Sequence, residues 1–195
     1  MKTATLLLAL CLAALPALSQ EETLFNGNIE SGGFGGPVLK AGGFNGEAGL
    51  LVGGRGGWII NNSFIVGGGG YGLVNSVKAK ALGPRNQQYL DFGYGGLELE
   101  YISRSNKLIH LSFMTMIGAG GVGWRDREMG YDNDSNPDAF FILEPAVNAT
   151  LNVTRYFRIS AGASYRYISG VSSNATTNAD LSGPSGTLTF RFGKF

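Results

Sequence analysis

The sequence predicts an all-β protein, an eight-stranded antiparallel up-and-down transmembrane β-barrel. Eight stretches alternate apolar and polar residues at every second position, which is the pattern of a strand with two different faces. Most of these stretches are longer than the five or six residues usual in soluble sheets, and about ten residues suffice for a tilted strand to cross a bilayer. Short and long connections between the stretches also alternate along the chain.

The predicted strands occupy residues 32–44, 47–60, 63–75, 89–102, 108–124, 139–153, 156–169 and 186–195. The long connections are 76–88, 125–138 and 170–185. In an up-and-down barrel all three lie at the same end. The fourth connection at that end, FNGE, is short and is the exception. Outer-membrane barrels have short turns on the periplasmic side and longer loops outside, so the three long connections are expected to face outward from the cell.

The stretch YFRISAGASYRYIS shows the two faces most clearly. Phe157, Tyr165 and Tyr167 share one parity, whereas Arg158 and Arg166 share the other. A helix would scatter these residues around its circumference, but a strand places them on opposite faces. In a barrel within lipid the apolar face points outward, so the arginines are expected in the interior.

Other charged residues have the same parity relation to their apolar neighbours. The predicted interior polar network consists of Glu47, Arg55, Asp91, Glu98, Glu100, His110, Glu144, Arg158, Arg166 and Arg191, with Lys40 as a further inward base. An eight-stranded barrel is only wide enough to be filled by side chains, so five acids and five bases are expected to pair and plug the lumen. In 89–102 the apolar parity changes partway along, which predicts a bulge near Gly95 and Gly96.

Aromatic residues fall near both ends of the predicted strands, where membrane barrels carry girdles of aromatic side chains. One predicted girdle contains Trp58, Tyr101, Phe157 and Phe192, and the other contains Tyr89, Trp124, Phe141 and Tyr167.

The N-terminal residues 1–19 read as a secretory signal peptide, because Lys2 precedes an apolar run and small residues. A lipoprotein signal at Cys11 is the competing interpretation. Residues 20–195 are then a single barrel domain without cysteine. Without Lys2 this domain has equal numbers of basic and acidic residues, which gives no support for nucleic-acid binding.

The signal peptide, the eight two-faced strands and the ending TLTFRFGKF resemble small eight-stranded outer-membrane barrels of the OmpA, OmpX and OmpW kind. EPAVNATLNVTRYFRISAGASYRYISG resembles a segment of uncharacterised bacterial barrel proteins. The resemblance implies an integral outer-membrane location, contact with outer-membrane lipids and lipopolysaccharide, and recognition of Phe195 by the assembly machinery. The family pattern also has apolar residues at alternate positions before the last one, where this chain has Gly193, Arg191 and Thr189. A bulge at Gly193 is therefore expected to shift the final residues.

Two motifs could carry chemistry. His110 and Ser112 lie two apart, as in eight-stranded outer-membrane lipases that deacylate lipid A, but Phe113 replaces the Asn of that family's motif. Parity places His110 inside the barrel, so we predict no catalytic residue. A low-ranking calcium site is formed by alternate oxygen donors in one loop, namely Asp132, Asp134, Asn136 and Asp138. A solvated acidic loop is the favoured interpretation of the same residues.

The sequence thus predicts an outer-membrane protein without enzymatic activity or cofactor. Its lumen is plugged, and its outer loops have a structural role or bind an unknown extracellular partner. One alternative is a porin-like transport barrel that passes a small apolar solute through a lateral opening. The other is a secreted soluble β-barrel that binds a ligand inside, which requires apolar residues inward and charged residues outward.

Overall fold

The computed structural model describes residues 30–78, 88–126, 137–172 and 176–195. These ranges contain eight strands and one short helix. The strands are β1 (Ser31–Phe44), β2 (Glu47–Ile60), β3 (Phe64–Leu73), β4 (Gln88–Ser103), β5 (Ile109–Asp126), β6 (Asp138–Asn152), β7 (Phe157–Ser169) and β8 (Gly183–Lys194). Helix α1 (Asn178–Leu181) lies between β7 and β8. The predicted signal peptide lies outside the described residues.

Every strand pairs antiparallel with its neighbours in sequence, and β8 pairs with β1 to close the barrel. The predicted fold class is therefore confirmed. Closure leaves no strand edge, so the backbone groups of each strand find partners within the sheet. Within the described residues, no helix is long and apolar enough to cross a membrane.

The barrel has two unlike ends. The end with the tight connections 61–63, 104–108 and 153–156 is called the turn end, and the opposite end is called the loop end. The loop end also has one tight connection, between β1 and β2. There Asn45 and Gly46 have φ values of 51° and 86°, which suit the two-residue hairpin turn that matches strand twist.

The outer surface of the barrel is apolar. Leu97 and Phe113 are each about half exposed, at 51% and 53%, whereas their neighbours Glu98 and Met114 are buried. The same alternation recurs around the barrel in Leu39, Leu50, Val52, Trp58, Val66, Leu99, Leu111, Ile117, Val147 and Leu151, all exposed. The apolar parity therefore faces outward over most of the wall.

Near the loop end, however, the interior is also apolar. The loop-end core contains Phe44, Leu51, Leu90, Phe92, Phe140, Ile142 and Ile168, together with Val77 and Leu181 from the connections. The ring of Phe92 stacks on Phe140 with centroids 5.1 Å apart and meets Phe44 edge-on at 5.2 Å. The buried carboxylates of the described lumen lie below this layer, toward the turn end.

This apolar layer explains why the bulge predicted near Gly95 and Gly96 is absent. The β3–β4 ladder continues in one register through both glycines. Leu90, Phe92 and Tyr94 therefore point into the lumen on the same face as Glu98. The prediction was wrong because it assumed that apolar residues always face lipid.

Inward-facing glycines allow the strands to approach closely. A Cβ at Gly118 would clash with the carbonyl oxygen of Gly95 on the neighbouring strand. Gly72, by contrast, has no atom within 4 Å of an added Cβ. The glycine at position 118 is thus required by strand packing, and the one at 72 is not.

Candidate functional site

A four-residue ion cluster crosses the lumen below the loop-end core. Arg55 of β2 bonds both Glu98 and Glu100 of β4, with Nε–Oε2 at 2.6 Å and Nη2–Oε2 at 2.8 Å. Arg191 of β8 bonds the other oxygen of Glu100, with Nη2–Oε1 at 2.9 Å. All four side chains are at most 3% exposed. Charges buried this deeply require such pairing, and this lower cluster ties three strands together across the interior.

A second, central cluster is built around Glu144 of β6. Lys40 Nζ lies 2.9 Å from Glu144 Oε2, and the Tyr94 hydroxyl donates to the same oxygen at 2.8 Å. The Ser164 hydroxyl donates to Oε1 at 2.6 Å. Lys40 Nζ also lies 3.6 Å from the ring centroid of Tyr71, a cation–π contact. This cluster joins β1, β3, β4, β6 and β7.

Tyr71 connects the two clusters, because its hydroxyl donates to Glu98 Oε1 at 2.6 Å. Each carboxylate of the network therefore accepts more than one hydrogen bond. Tyr71 and Tyr94 also belong to the loop-end core, so the buried side chains of the two clusters and of this core adjoin one another in the described part of the lumen.

Arg166 is buried in a different way, because no carboxylate of the described residues forms an ion pair with it. Its guanidinium donates to the carbonyl oxygens of Leu181 at 2.7 Å and Gly43 at 3.0 Å, and to Ser185 Oγ at 3.2 Å. It also lies 3.9 Å from the centroid of the Phe44 ring. Arg166 thereby fastens the end of α1 over the loop-end core.

Further hydrogen bonds hold α1 against the first hairpin. The Asn45 amide donates to the carbonyl oxygen of Asp180 at 3.0 Å, and Thr176 Oγ1 donates to Asn45 Oδ1 at 2.8 Å. Leu181 inserts its side chain into the core and is fully buried. Thr176 and helix α1 therefore cover part of the loop end.

Two residues predicted for the interior network lie outside it. Glu47 is exposed at the start of β2, where its carboxylate accepts a hydrogen bond from the Lys78 amide at 3.1 Å. Asp91 is exposed on the outward face of β4, because the uninterrupted register gives odd positions of that strand an outward direction. The expectation that five inward acids pair with five inward bases is therefore wrong. The buried carboxylates of the described lumen are Glu98, Glu100 and Glu144.

Most of the predicted interface aromatics lie on the outer surface. Exposed outward rings are Trp58, Tyr101, Phe141, Tyr167 and Phe192, and the partly exposed Phe157 stacks on Phe192 at 4.8 Å. Two differ from the prediction. Tyr89 is buried at 6% exposure, and Trp124 has the inward parity and packs against the loop-end core. The predicted girdles did not include Phe64, Phe113, Tyr156 and Tyr165, which are also exposed, although parity had placed Phe113 and Tyr165 on the apolar face.

Phe195 points toward the lumen at the turn end. Its ring stacks on Phe34 with centroids 6.4 Å apart, and the Arg158 guanidinium lies 4.0 Å from its centroid. The β8 ladders continue in register through Gly193, so the expected bulge is absent. Phe192 instead carries the outward parity. The role of Phe195 as an assembly signal stays a prediction.

The residues with possible chemistry are not brought together in the described ranges. His110 is buried on the inward face of β5, with Nδ1 3.3 Å from the carbonyl oxygen of Lys107, and Ser112 is buried on the same face. Asp132, Asp134 and Asn136 fall outside the described residues. Asp138 accepts a hydrogen bond from the Ser172 amide at 2.7 Å. In the ranges that the structure describes, no three acidic, His or Cys side chains group around a metal position.

Comparison with known proteins supports the fold. No protein-family model and no curated protein sequence matches the chain. Neisserial surface protein A is similar in structure, with a TM-score of 0.54, 14% identity, and coverage of 87% of this chain and 100% of that one. Ail of Yersinia pestis, in complex with the heparin analogue sucrose octasulfate, has a TM-score of 0.49, 17% identity, and coverage of 86% and 99%. At 14% identity the likeness to Neisserial surface protein A concerns fold: this chain has the architecture of a small eight-stranded barrel, as its sequence predicts.

Proposed function

We propose that this protein is an integral outer-membrane β-barrel with a plugged interior. Its role is structural or depends on surface interactions made by the connections at the loop end. The observation that carries the proposal is the distribution of side chains across the barrel wall, which is the reverse of that in a soluble protein. Apolar side chains cover the outside, while three carboxylates and their basic partners are buried within.

The outer surface favours lipid as its surroundings. The exposed apolar residues come from every strand rather than from one patch; examples are Leu39, Val52, Val66, Leu99 and Val147. Soluble monomers rarely expose contiguous apolar patches of more than a few hundred Å². A band that continues around the barrel is instead the surface of a membrane barrel, whose backbone groups are satisfied by closure.

The two alternative functions have less support. A soluble ligand-binding barrel needs charged residues outside, whereas Glu98 and Glu100 face in and Leu97 and Leu99 face out. A transport barrel needs an open apolar path. The loop-end core is apolar, but the buried ion pairs of the lower and central clusters lie beneath it and argue against an apolar channel along the described lumen.

The orientation follows from the connections. The turn end faces the periplasm and the loop end faces outside, where segments 76–88, 125–138 and 170–185 meet lipopolysaccharide and an extracellular partner. Export by the signal peptide at 1–19 and insertion by the outer-membrane assembly machinery precede this state. The proposal includes no catalytic step.

Membrane fractionation tests the location, followed by electrophoresis of the detergent-extracted protein with and without boiling. We expect recovery in the outer membrane and a change of mobility on heating, because a closed barrel resists detergent until heated. Recovery as a soluble periplasmic or extracellular protein would contradict the proposal.

Tag insertion tests the orientation. An epitope inserted within 130–136 is expected to bind antibody on intact cells. The matched control carries the same epitope between Ser105 and Asn106 at the turn end and is expected to bind only after permeabilisation. The reverse pattern would place the turn end outside.

A further inference from the structure

The turn end contains a cavity that the plugged lumen does not account for. Its volume is about 460 Å³. Residues from all three tight turns line it, among them Asn62, Ser105, Thr154 and Arg155, together with Arg158 and Phe195. Two arginines and several side-chain hydrogen-bond donors are thus present, and no Asp or Glu side chain lines the described cavity.

Arg158 differs from the other basic residues of the described lumen. Lys40, Arg55 and Arg191 each bond a carboxylate, and Arg166 donates to carbonyl oxygens. Arg158 has no hydrogen-bond or ion-pair partner among the described residues, and its Nε is buried without an acceptor. The Phe195 ring centroid lies 4.0 Å from its guanidinium. A half-buried guanidinium without an acceptor is costly unless an anion binds it.

The surrounding charges favour an anion at this position. The exposed cations of the described turn end are Arg104, Lys107, Arg155 and Lys194. The buried Arg191 lies directly across from Arg158 on β8 and is bonded to Glu100. Among the exposed side chains described at this end, Glu30 is the carboxylate, and it accepts a hydrogen bond from Asn62 Nδ2 at 3.2 Å. Excess positive charge around a cleft raises the local concentration of anions.

The wall behind Arg158 is fixed by hydrogen bonds. Asn152 lies directly across from Arg158 on the neighbouring strand. Its Nδ2 donates to the carbonyl oxygens of Ser105 at 3.1 Å and Lys107 at 2.8 Å. The β4–β5 turn is therefore tied to the end of β6, so the cavity is formed before any ligand enters.

We propose that the turn-end cavity binds a phosphate group, free or esterified, through Arg158 and Arg155. Guanidinium groups present planar pairs of donors that match the oxygens of phosphate. The volume exceeds that of the phosphate itself and leaves room for the rest of an ester. The ligand is either a soluble phosphate compound or the headgroup of a phospholipid in the leaflet at this end.

Titration of the full-length folded protein in a non-ionic detergent tests the site. Inorganic phosphate is added, with sodium chloride at equal ionic strength as the control, and the NMR signals of the Arg158 Nε–H and the Arg155 amide are followed. We expect saturable shifts with phosphate and none with chloride. Arg158→Gln should weaken phosphate binding roughly tenfold or more at the Arg155 amide, since it removes a charge-assisted contact.

Lys107→Gln is the matched control, because it removes the same charge from the same end without lining the cavity. It should change the affinity by less than about twofold. A mobility change on heating, retained by both variants, shows that they are folded. Absence of saturable shifts, or equal affinities of wild type and Arg158→Gln, would overturn the proposal.

Lipid nanodiscs distinguish the two sources of phosphate. If the ligand is a headgroup, discs containing phosphatidylglycerol shift the Arg155 signal relative to phosphatidylcholine discs, and Arg158→Gln abolishes the difference. If the ligand is soluble, the signals agree between the two discs and respond only to added phosphate. Both results support the site and identify its source.

Discussion

Replacing Glu100 with glutamine tests whether the lower cluster stabilises the barrel. Glu100 accepts bonds from Arg55 at 2.8 Å and from Arg191 at 2.9 Å, and its side chain is fully buried. Glutamine keeps the shape but removes the charge. Arg55 retains Glu98, whereas Arg191 is left as a buried cation without a carboxylate. Breaking a buried pair in this way costs about 3–5 kcal/mol of folding free energy.

Urea unfolding from lipid vesicles measures this loss as a lower midpoint and a lower extrapolated free energy of unfolding. Glu47→Gln is the matched control, because it is the same chemical change at an exposed position. It should cost no more than about 1 kcal/mol. Equal effects of the two substitutions would refute the assignment of Glu100 to a stabilising buried cluster.

The pair with Arg191 is isolated by a double-mutant cycle. Arg191→Met alone leaves Glu100 bonded to Arg55, and Glu100→Gln alone leaves Arg191 unpaired. The double variant should lose less stability than the sum of the two single losses, because neither charge is then left without its partner. Additive losses would show that the two side chains do not interact.

Three further substitutions test the packing and the outer face. Gly118→Ala should reduce the fraction of protein that shows heat-modifiable mobility, because its Cβ clashes with the Gly95 carbonyl, whereas Gly72→Ala should fold like wild type; equal yields would contradict this packing argument. Phe92→Ala should cost about 3–5 kcal/mol in urea unfolding, since it empties the centre of the loop-end core; a loss below about 1 kcal/mol would show that this core is loose. Val147→Arg, on the outer face, should cost about 2–4 kcal/mol in vesicles, and a neutral effect would contradict lipid contact there.

The strands could be predicted from sequence because each has two chemically different faces. For β2 the predicted and observed bounds coincide at 47 and 60, and elsewhere they differ by at most three residues. Parity over 156–169 also placed Arg158 and Arg166 correctly on the inward face. Alternation separates two sets of residues, and the charged set of this strand identifies which one faces inward.

Where the interior is itself apolar, alternation does not say which side of the wall a residue faces. Leu90, Phe92 and Tyr94 have the composition of a lipid-facing set, yet they fill the loop-end core. The same ambiguity misplaced Asp91. Trp124 shares the parity of the inward His110, and it was assigned to the outer girdle because it lies near the end of its strand. The side of the wall that these residues face follows from the continuous β3–β4 and β4–β5 registers. These registers depend on pairing between strands rather than on local sequence.

The partners within the lumen also lay beyond sequence reasoning. Parity identified Glu98, Glu100 and Arg55 as inward residues, but only the barrel register brings Arg191 to Glu100. The cavity at the turn end arises from three separate turns and so has no local signature. Such sites depend on barrel closure, which no local pattern encodes.

Quenching of tryptophan fluorescence by brominated lipids tests the central claim most directly, because the chain has two tryptophans, one on each side of the wall. Trp58 is 51% exposed on the outside, and Trp124 packs against the loop-end core. In vesicles of brominated lipid, Trp124→Phe, which retains Trp58, should be strongly quenched. Trp58→Phe, which retains Trp124, should be quenched little. The opposite order, or no quenching of either variant, would contradict a lipid-facing apolar wall around a plugged interior.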